Sequence, residues 1–213
     1  MEFTHNAYQP ISLGTTIIGV VYNGGVLLGA DGRTSMGSIV VNRCKNKIRM
    51  VSDSIGMCTA GTAAHSETIG DYVKHALRMY TAQTGEEPTV LAAATSIKNI
   101  IYGNKSFLSS SVVCGGYDPV NGATLYRILQ SGAMKQDDIC VGGSGSTYIW
   151  GYCDAHFKKN MTFEEAKQFI VTAVSLAIYR DGSSGGIIHT VNITAEGVQS
   201  EFITGDKVPV PQN

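Results

Sequence analysis

Charge is scarce in this chain. Asp, Glu, Lys and Arg make up only 15% of its 213 residues, and the net charge is −1. A balance so near zero carries no footprint of a nucleic-acid or anionic-membrane partner, and neither is expected. Cysteine is limited to five residues, Cys44, Cys58, Cys114, Cys140 and Cys153. The number is odd and no C-x-x-C pair occurs, which argues against a zinc site or a disulfide framework and for a reducing compartment. No run of about 18 apolar residues is present to span a membrane. The opening MEFTHNAYQPISLG has neither the basic start nor the apolar core of a secretory signal. The five histidines (His5, His65, His75, His156, His189) lack metal-ligand spacing; His75 and His156 read as helix positions half in the core.

What is abundant is glycine, 25 residues, in a chain that is 43% hydrophobic. That combination fits a compact fold with many tight turns. Residues 1–14 are polar and show no periodicity, so they read as a tail outside the fold. From Thr15 the pattern becomes strand-like. TTIIGVVY and GVLLGAD flank Asn23-Gly24, a hairpin signal for a type I′ turn with positive φ at both central residues. SIVV, KIRMV and SIGMCTA read as further short strands.

The period then changes. Ile69, Val73, Ala76, Leu77 and Tyr80 fall on one helical face, and Val90, Ala94, Ile97 and Ile101 mark a second helix. Strands return with SSVVCGGY, ATLYRILQ and ICVGG. A third helix near Gly145 carries Ile149, Cys153 and Phe157. Thr162-Phe163-Glu164-Glu165 is a capping box, opening a helix that buries Ala166, Phe169, Ile170, Ala173, Val174 and Ala177. IIHTVNIT and VQSEFIT close the pattern. Strands such as IIGVV are apolar on both faces, so each sheet needs cover on both sides. The simplest solution is an α+β, four-layer αββα sandwich: two antiparallel sheets face to face, with a helix pair outside each. No linker divides residues 15–213.

Several stretches have chemical potential. If the Gly14–Thr15 bond breaks, Thr15 gains an α-amine beside its own hydroxyl. A free α-amine has an unperturbed pKa of ~7.7–8.0, suited to a general base. One residue then supplies nucleophile and base. The bland alternative is a tail running into a strand. Asp31 and Lys47 could tune such an amine, or form an ordinary surface ion pair. Thr59-Ala60-Gly61-Thr62 lies between a strand and a helix, where the Gly61 N–H could face an oxyanion or simply start the helix. Gly142-Gly143-Ser144-Gly145 imitates a phosphate loop but lacks the Gly-Lys-Ser/Thr sequence. A Cys/His nucleophilic pair has no local signature here.

Taken together, Gly14-Thr15-Thr16, GVLLGADGRT, NRCKNKI, AGTAA, GGSGSTYIWGYCD and YRDGSSGG resemble a proteasome beta subunit of the N-terminal-nucleophile hydrolase superfamily. The resemblance runs from Thr15 to about Thr204, and its last two motifs are most similar to the beta-1, caspase-like type. It implies the same αββα fold, with residues 1–14 as a propeptide and residues 15–213 as one domain. It implies Thr15 as nucleophile, Asp31 and Lys47 as the tuning pair, and Gly61 as oxyanion donor. Ser144, Asp181 and Ser184 would orient the threonine. No cofactor or metal is implied. The implied partners are polypeptide substrates, regulatory caps indirectly, and other alpha and beta subunits, twenty-eight in a barrel of four rings. The implied location is cytoplasm and nucleus.

The resemblance departs at the specificity pocket. A beta-1-type subunit is expected to carry arginine two residues before the oxyanion glycine, and here that residue is Thr59. The implied pocket comprises Thr34, Lys45, Thr59, Ala63 and Glu67. Lys45 offers a positive charge; Glu67 either opposes it or pairs with it. A charge-assisted contact contributes ~1.5–3 kcal/mol, so losing the arginine costs roughly tenfold or more in discrimination. The alternatives to a threonine endopeptidase are a structural subunit that never matures and a small-molecule amidase with the same nucleophile.

Overall fold

The structure is a computed structural model and describes residues 14–210. Most of the expected tail, and the whole of its Met1–Leu13 part, therefore lies outside the described residues. The first sheet contains β1 (Ile17–Tyr22), β2 (Gly25–Asp31), β10 (Ile139–Gly142), β11 (Ile188–Thr194) and β12 (Gly197–Ile203), in the order β10-β1-β2-β11-β12. The second contains β5 (Ile48–Met50), β6 (Ile55–Gly61), β7 (Ser110–Asp118), β8 (Gly122–Ile128) and β9 (Met134–Gln136), in chain order. A small hairpin of β3 (Thr34–Met36) and β4 (Ile39–Asn42) stands apart. Every pairing is antiparallel.

The helices are α1 (Ala63–Thr84), α2 (Val90–Gly103), α3 (Ser146–His156) and α4 (Phe163–Arg180). Three apolar layers result. Ile18, Val20 and Leu27 of the first sheet pack with Ile149, Phe169, Ile170 and Val174 of α3 and α4. Met57, Val112 and Cys114 of the second pack with Ile69, Val73, Ile97 and Ile101 of α1 and α2. Between the sheets lie Ile17, Val26, Leu28, Val113, Leu125 and Ile193. This is the αββα sandwich, and the layering follows from strands such as β2, buried along its whole length.

Close approach of the sheets depends on bare backbone. A methyl on Gly19 would sit 2.8 Å from Leu125 Cδ1 and 3.0 Å from Leu28 Cδ2, and one on Gly115 would meet the same Leu125 atom at 2.7 Å. The two leucines occupy the space the glycines leave. The capping box at Thr162 forms on both sides, with the Thr162 hydroxyl accepting from the Glu165 N–H and the Glu165 carboxylate accepting from the Thr162 N–H.

Some local expectations give way. Gly24 has φ 124°, but Asn23 is not at positive φ, so the turn is not type I′. The Asn23 N–H instead donates to the Met161 carbonyl at 2.9 Å, a tertiary bond that sets its backbone. Ala76 and Tyr80 are exposed: Ala76 flanks the narrow buried stripe of Ile69, Val73 and Leu77, and Tyr80 lies past its end, where the helix runs beyond the surface it covers. His75 and His156 are also exposed, and the latter stacks on Tyr152. The last strand, β12, is an edge with little cover. Strands β3 and β9 were too short to show a period.

Leu28 is fully buried between the sheets. Leu28→Ala is expected to lower unfolding free energy by about 2–5 kcal/mol in chemical denaturation of the purified chain. A loss below about 1 kcal/mol would contradict this packing.

Candidate active site

Strand β2 is apolar until its last residue, Asp31, whose side chain is fully buried. A buried carboxylate must be met by donors. Asp31 Oδ1 accepts from Lys47 Nζ at 2.7 Å and from the Thr16 N–H at 2.8 Å. Asp31 Oδ2 accepts from the Gly185 N–H at 3.0 Å and the Arg33 N–H at 3.1 Å. Thr16 stands beside Asp31 because the ladder of β1 and β2 continues past Ile17, with the Asp31 N–H donating to the Thr16 carbonyl. That extension places Thr15, 4% exposed, at the end of β1.

The Thr15 hydroxyl has two contacts. It accepts from Lys47 Nζ at 3.1 Å and donates to the Gly14 carbonyl at 2.7 Å. Burial pulls the Lys47 ammonium below the usual lysine range, against the opposing attraction of Asp31. The lysine is thus more easily made neutral than an ordinary one, yet Asp31 holds it in place.

A second cluster meets the backbone of Thr15. Its N–H donates to Ser144 Oγ at 3.1 Å. Ser144 Oγ donates to Asp181 Oδ2 at 2.7 Å, and Ser184 Oγ donates to the same oxygen at 2.7 Å. Ser184 Oγ also pairs with the Thr16 hydroxyl at 2.7 Å. Each serine has one proton to give, so giving it to Asp181 leaves Ser144 an acceptor for Thr15 and Ser184 an acceptor for Thr16. The Asp181 that ends α4 also accepts from the Ser183 N–H at 3.0 Å.

The glycine-rich stretch before α3, whose likeness to a phosphate loop is incomplete, lies against Thr15. The Gly145 N–H donates to the Thr15 carbonyl at 3.2 Å, and a side chain on Gly143 would run into that same carbonyl. The loop wraps Thr15. Gly14 is similarly confined, since a Cβ there would collide with Ser183. Gly61, at φ 136°, has the Ser109 carbonyl where a side chain would project.

Beside Thr15 opens a cavity of about 370 Å³. Gly14, Thr15, Lys47 and Gly61 line it, together with all five expected pocket residues, Thr34, Lys45, Thr59, Ala63 and Glu67. Ser35 also contributes, next to a register shift in the β3–β4 hairpin. Lys45 and Glu67 form an ion pair, so the second of the two possibilities read from the sequence holds. Their contact holds the Glu67 carboxyl below the usual carboxylate range.

The sequence reading missed Arg33 and Arg49, both on the cavity wall. Arg33 Nη1 donates to the Gly182 carbonyl at 2.7 Å. Arg49 Nη1 donates to the Glu67 carbonyl at 3.0 Å, and Nη2 pairs with Asp71. The alternation Lys45, Lys47, Arg49 was the available signal, because residues two apart on extended chain share a face. Thr16 was missed as well; only its place after Thr15 marked it.

Cysteine chemistry finds no support at these positions. Cys58, Cys114, Cys140 and Cys153 are buried, and burial pushes the last three thiols up to about 12 and Cys58 higher still. No cluster of metal-ligating side chains occurs among the described residues, nor any helix long and apolar enough to cross a membrane.

Comparison with known proteins gives the family. The family described as "Proteasome subunit" matches residues 11–193. The chain belongs to the proteasome beta-subunit family. It is 46% identical to "Proteasome subunit beta type-6" of Arabidopsis thaliana, over 98% of this chain and 92% of the relative. It is 42% identical to "Probable proteasome subunit beta type-1" of Schizosaccharomyces pombe, over 94% and 89%. With "Proteasome subunit beta type-1" of Saccharomyces cerevisiae it shares 42% identity, over 89% and 87%. As a proteasome beta subunit it assembles with other subunits of that particle.

Lys47 is 8% exposed and depends on Asp31 for its counter-charge. Asp31→Asn strands that ammonium in the interior, and a loss of about 3–5 kcal/mol is expected in chemical denaturation at neutral pH. A change under about 1 kcal/mol would show that the pair is not structurally required.

Proposed function

We propose that this beta subunit is a threonine endopeptidase, activated by its own scission between Gly14 and Thr15. The observation that carries the reading is the Thr15 hydroxyl, buried, 3.1 Å from Lys47 Nζ and 2.7 Å from the Gly14 carbonyl. Residues 1–14 are then a propeptide and residues 15–213 the mature domain.

In the precursor the Thr15 nitrogen is part of an amide and cannot act as a base. The basic nitrogen against the hydroxyl is Lys47, shifted toward neutrality by burial. Neutral Lys47 takes the hydroxyl proton as Thr15 Oγ1 bonds to the Gly14 carbonyl carbon. The C–N bond breaks as its nitrogen is protonated, leaving an ester. Water adds to that ester and releases the Gly14 carboxyl group. Thr15 now holds an alcohol and an amine together. Ser144, anchored on Asp181, orients that amine, and the charge of Lys47 disfavours a second charge on it.

The same steps then act on a substrate peptide. The amine takes the hydroxyl proton, Oγ1 attacks the scissile carbonyl, and the Gly61 N–H meets the developing oxyanion. The proton passes to the leaving amine, and water resolves the acyl-ester. Nucleophile, base and oxyanion donor all lie on this chain, so the reaction as written uses no cofactor. Substrates are unfolded polypeptides, cut after acidic residues through a pocket in which Thr59, Lys45 and Glu67 stand in place of the expected arginine. The setting is a particle of four stacked rings in cytoplasm and nucleus.

In assembled particles, Thr15→Ala is expected to leave the bond after Gly14 intact and to abolish the post-acidic hydrolysis assigned to this subunit. Gly14→Ala should slow scission strongly, because its methyl runs into Ser183. N-terminal sequencing and peptide assays check both. Continued hydrolysis in the Thr15→Ala particle would favour a structural subunit that does no chemistry.

A further inference from the structure

Four cations line the cavity beside Thr15: Arg33, Lys45, Lys47 and Arg49. Three of them are committed. Lys47 is bound to Asp31 and to the nucleophile. Arg33 donates to the Gly182 carbonyl, and its guanidinium packs where a side chain on Gly185 would sit. Arg49 grips α1 through the Glu67 carbonyl and the Asp71 carboxylate. Among the described residues, the charged end of Lys45 meets one exposed carboxylate, that of Glu67, with side-chain exposures of 40% and 55%.

The backbones of these two residues are fixed. The Lys45 N–H donates to the Gly32 carbonyl at 2.9 Å, after a turn in which the Cys44 N–H donates to Asn42 Oδ1. Glu67 lies in the second turn of α1, pinned by Arg49. What remains free is the contact between their side chains. An exposed ion pair of this kind is weak in water and exchanges easily. With Lys47 balanced by Asp31, the cavity wall carries Arg33, Lys45 and Arg49 against the carboxylates of Glu67 and Asp71, so an incoming anion is favoured over an incoming cation.

We propose that Lys45 is the acceptor for an acidic side chain on the residue before the scissile bond, and that Glu67 is its built-in competitor. The substrate carboxylate enters by displacing the Glu67 carboxylate from the lysine. This inference rests on the threonine-protease reading above and deepens it by naming how the pocket selects substrate. Glu67 therefore tempers the acidic preference. Its replacement by a neutral isostere sharpens that preference, whereas loss of Lys45 removes it.

The test uses assembled particles and two peptide epoxyketone probes, one with Asp and one with Leu at the position that fills the cavity. Covalent labelling of this chain is followed by intact mass, which separates it from other subunits. The quantity read is the ratio of the Asp to the Leu labelling rate. In Glu67→Gln the ratio is expected to rise about tenfold, and in Lys45→Met to fall about tenfold, the scale of one charge-assisted contact. A ratio within twofold of wild type in Glu67→Gln, or an acidic preference that survives Lys45→Met, overturns the exchange while leaving the protease reading intact. Absence of label on Thr15 from either probe in the wild-type particle overturns both.

Discussion

The buried ion pair between Lys47 and Asp31 is the constraint on which the active site depends. A carboxylate at the end of an otherwise apolar strand is tolerated only with its charge balanced and its lone pairs occupied. Lys47 balances it, and the backbone N–H groups of Thr16, Arg33 and Gly185 complete it. Those donors come from the start of β1, the loop after β2 and the loop after α4. Satisfying one buried aspartate therefore gathers the strand end bearing Thr15 and the turn bearing Asp181, Ser183 and Ser184. The lysine that answers Asp31 also touches the Thr15 hydroxyl, so structural and chemical demands fall on the same nitrogen.

The site has a rigid part and an adaptable one. Around Thr15 the Asp31, Asp181 and Ser184 side chains are buried, both serines donate to Asp181, and Gly14, Gly61 and Gly143 have no space for a side chain. Across the cavity, Lys45 and Glu67 meet at the surface, where water can replace either partner. The division suits the proposed protease, in which one chemistry would serve every substrate while the pocket does the selecting. Pocket charge can change, as Thr59 in place of the expected arginine illustrates, without disturbing the bonds around Thr15.

Much of this was legible before any coordinates. Helix faces such as Val90, Ala94, Ile97 and Ile101 are written in local spacing, and the Thr162 capping box is a four-residue signal that formed as read. The motif residues Thr15, Asp31, Lys47, Ser144, Asp181 and Ser184 come together in one bonded network. What stayed hidden depends on partners distant in sequence. Asn23 is held by Met161, nearly 140 positions away, so its dipeptide preference does not decide the turn. The choice of Lys45 to pair with Glu67, and of Arg49 to grip α1, follows from how β5 and its preceding loop lie against that helix. Tyr80 keeps helical spacing in a helix that has outrun its support, and Ala76 falls just beside the buried stripe. Periodicity reports a face, and only packing shows where the face ends.

In the proposed mechanism the Thr15 hydroxyl, held by the Lys47–Asp31 pair, severs the bond ahead of it. The most direct measurement is the first residue of the wild-type chain isolated from assembled particles, compared with the same chain from particles carrying Lys47→Met. The expected result is a wild-type chain beginning at Thr15 and a Lys47→Met chain with Gly14 still attached. A wild-type chain that retains Gly14, or a Lys47→Met chain that begins at Thr15, would contradict it.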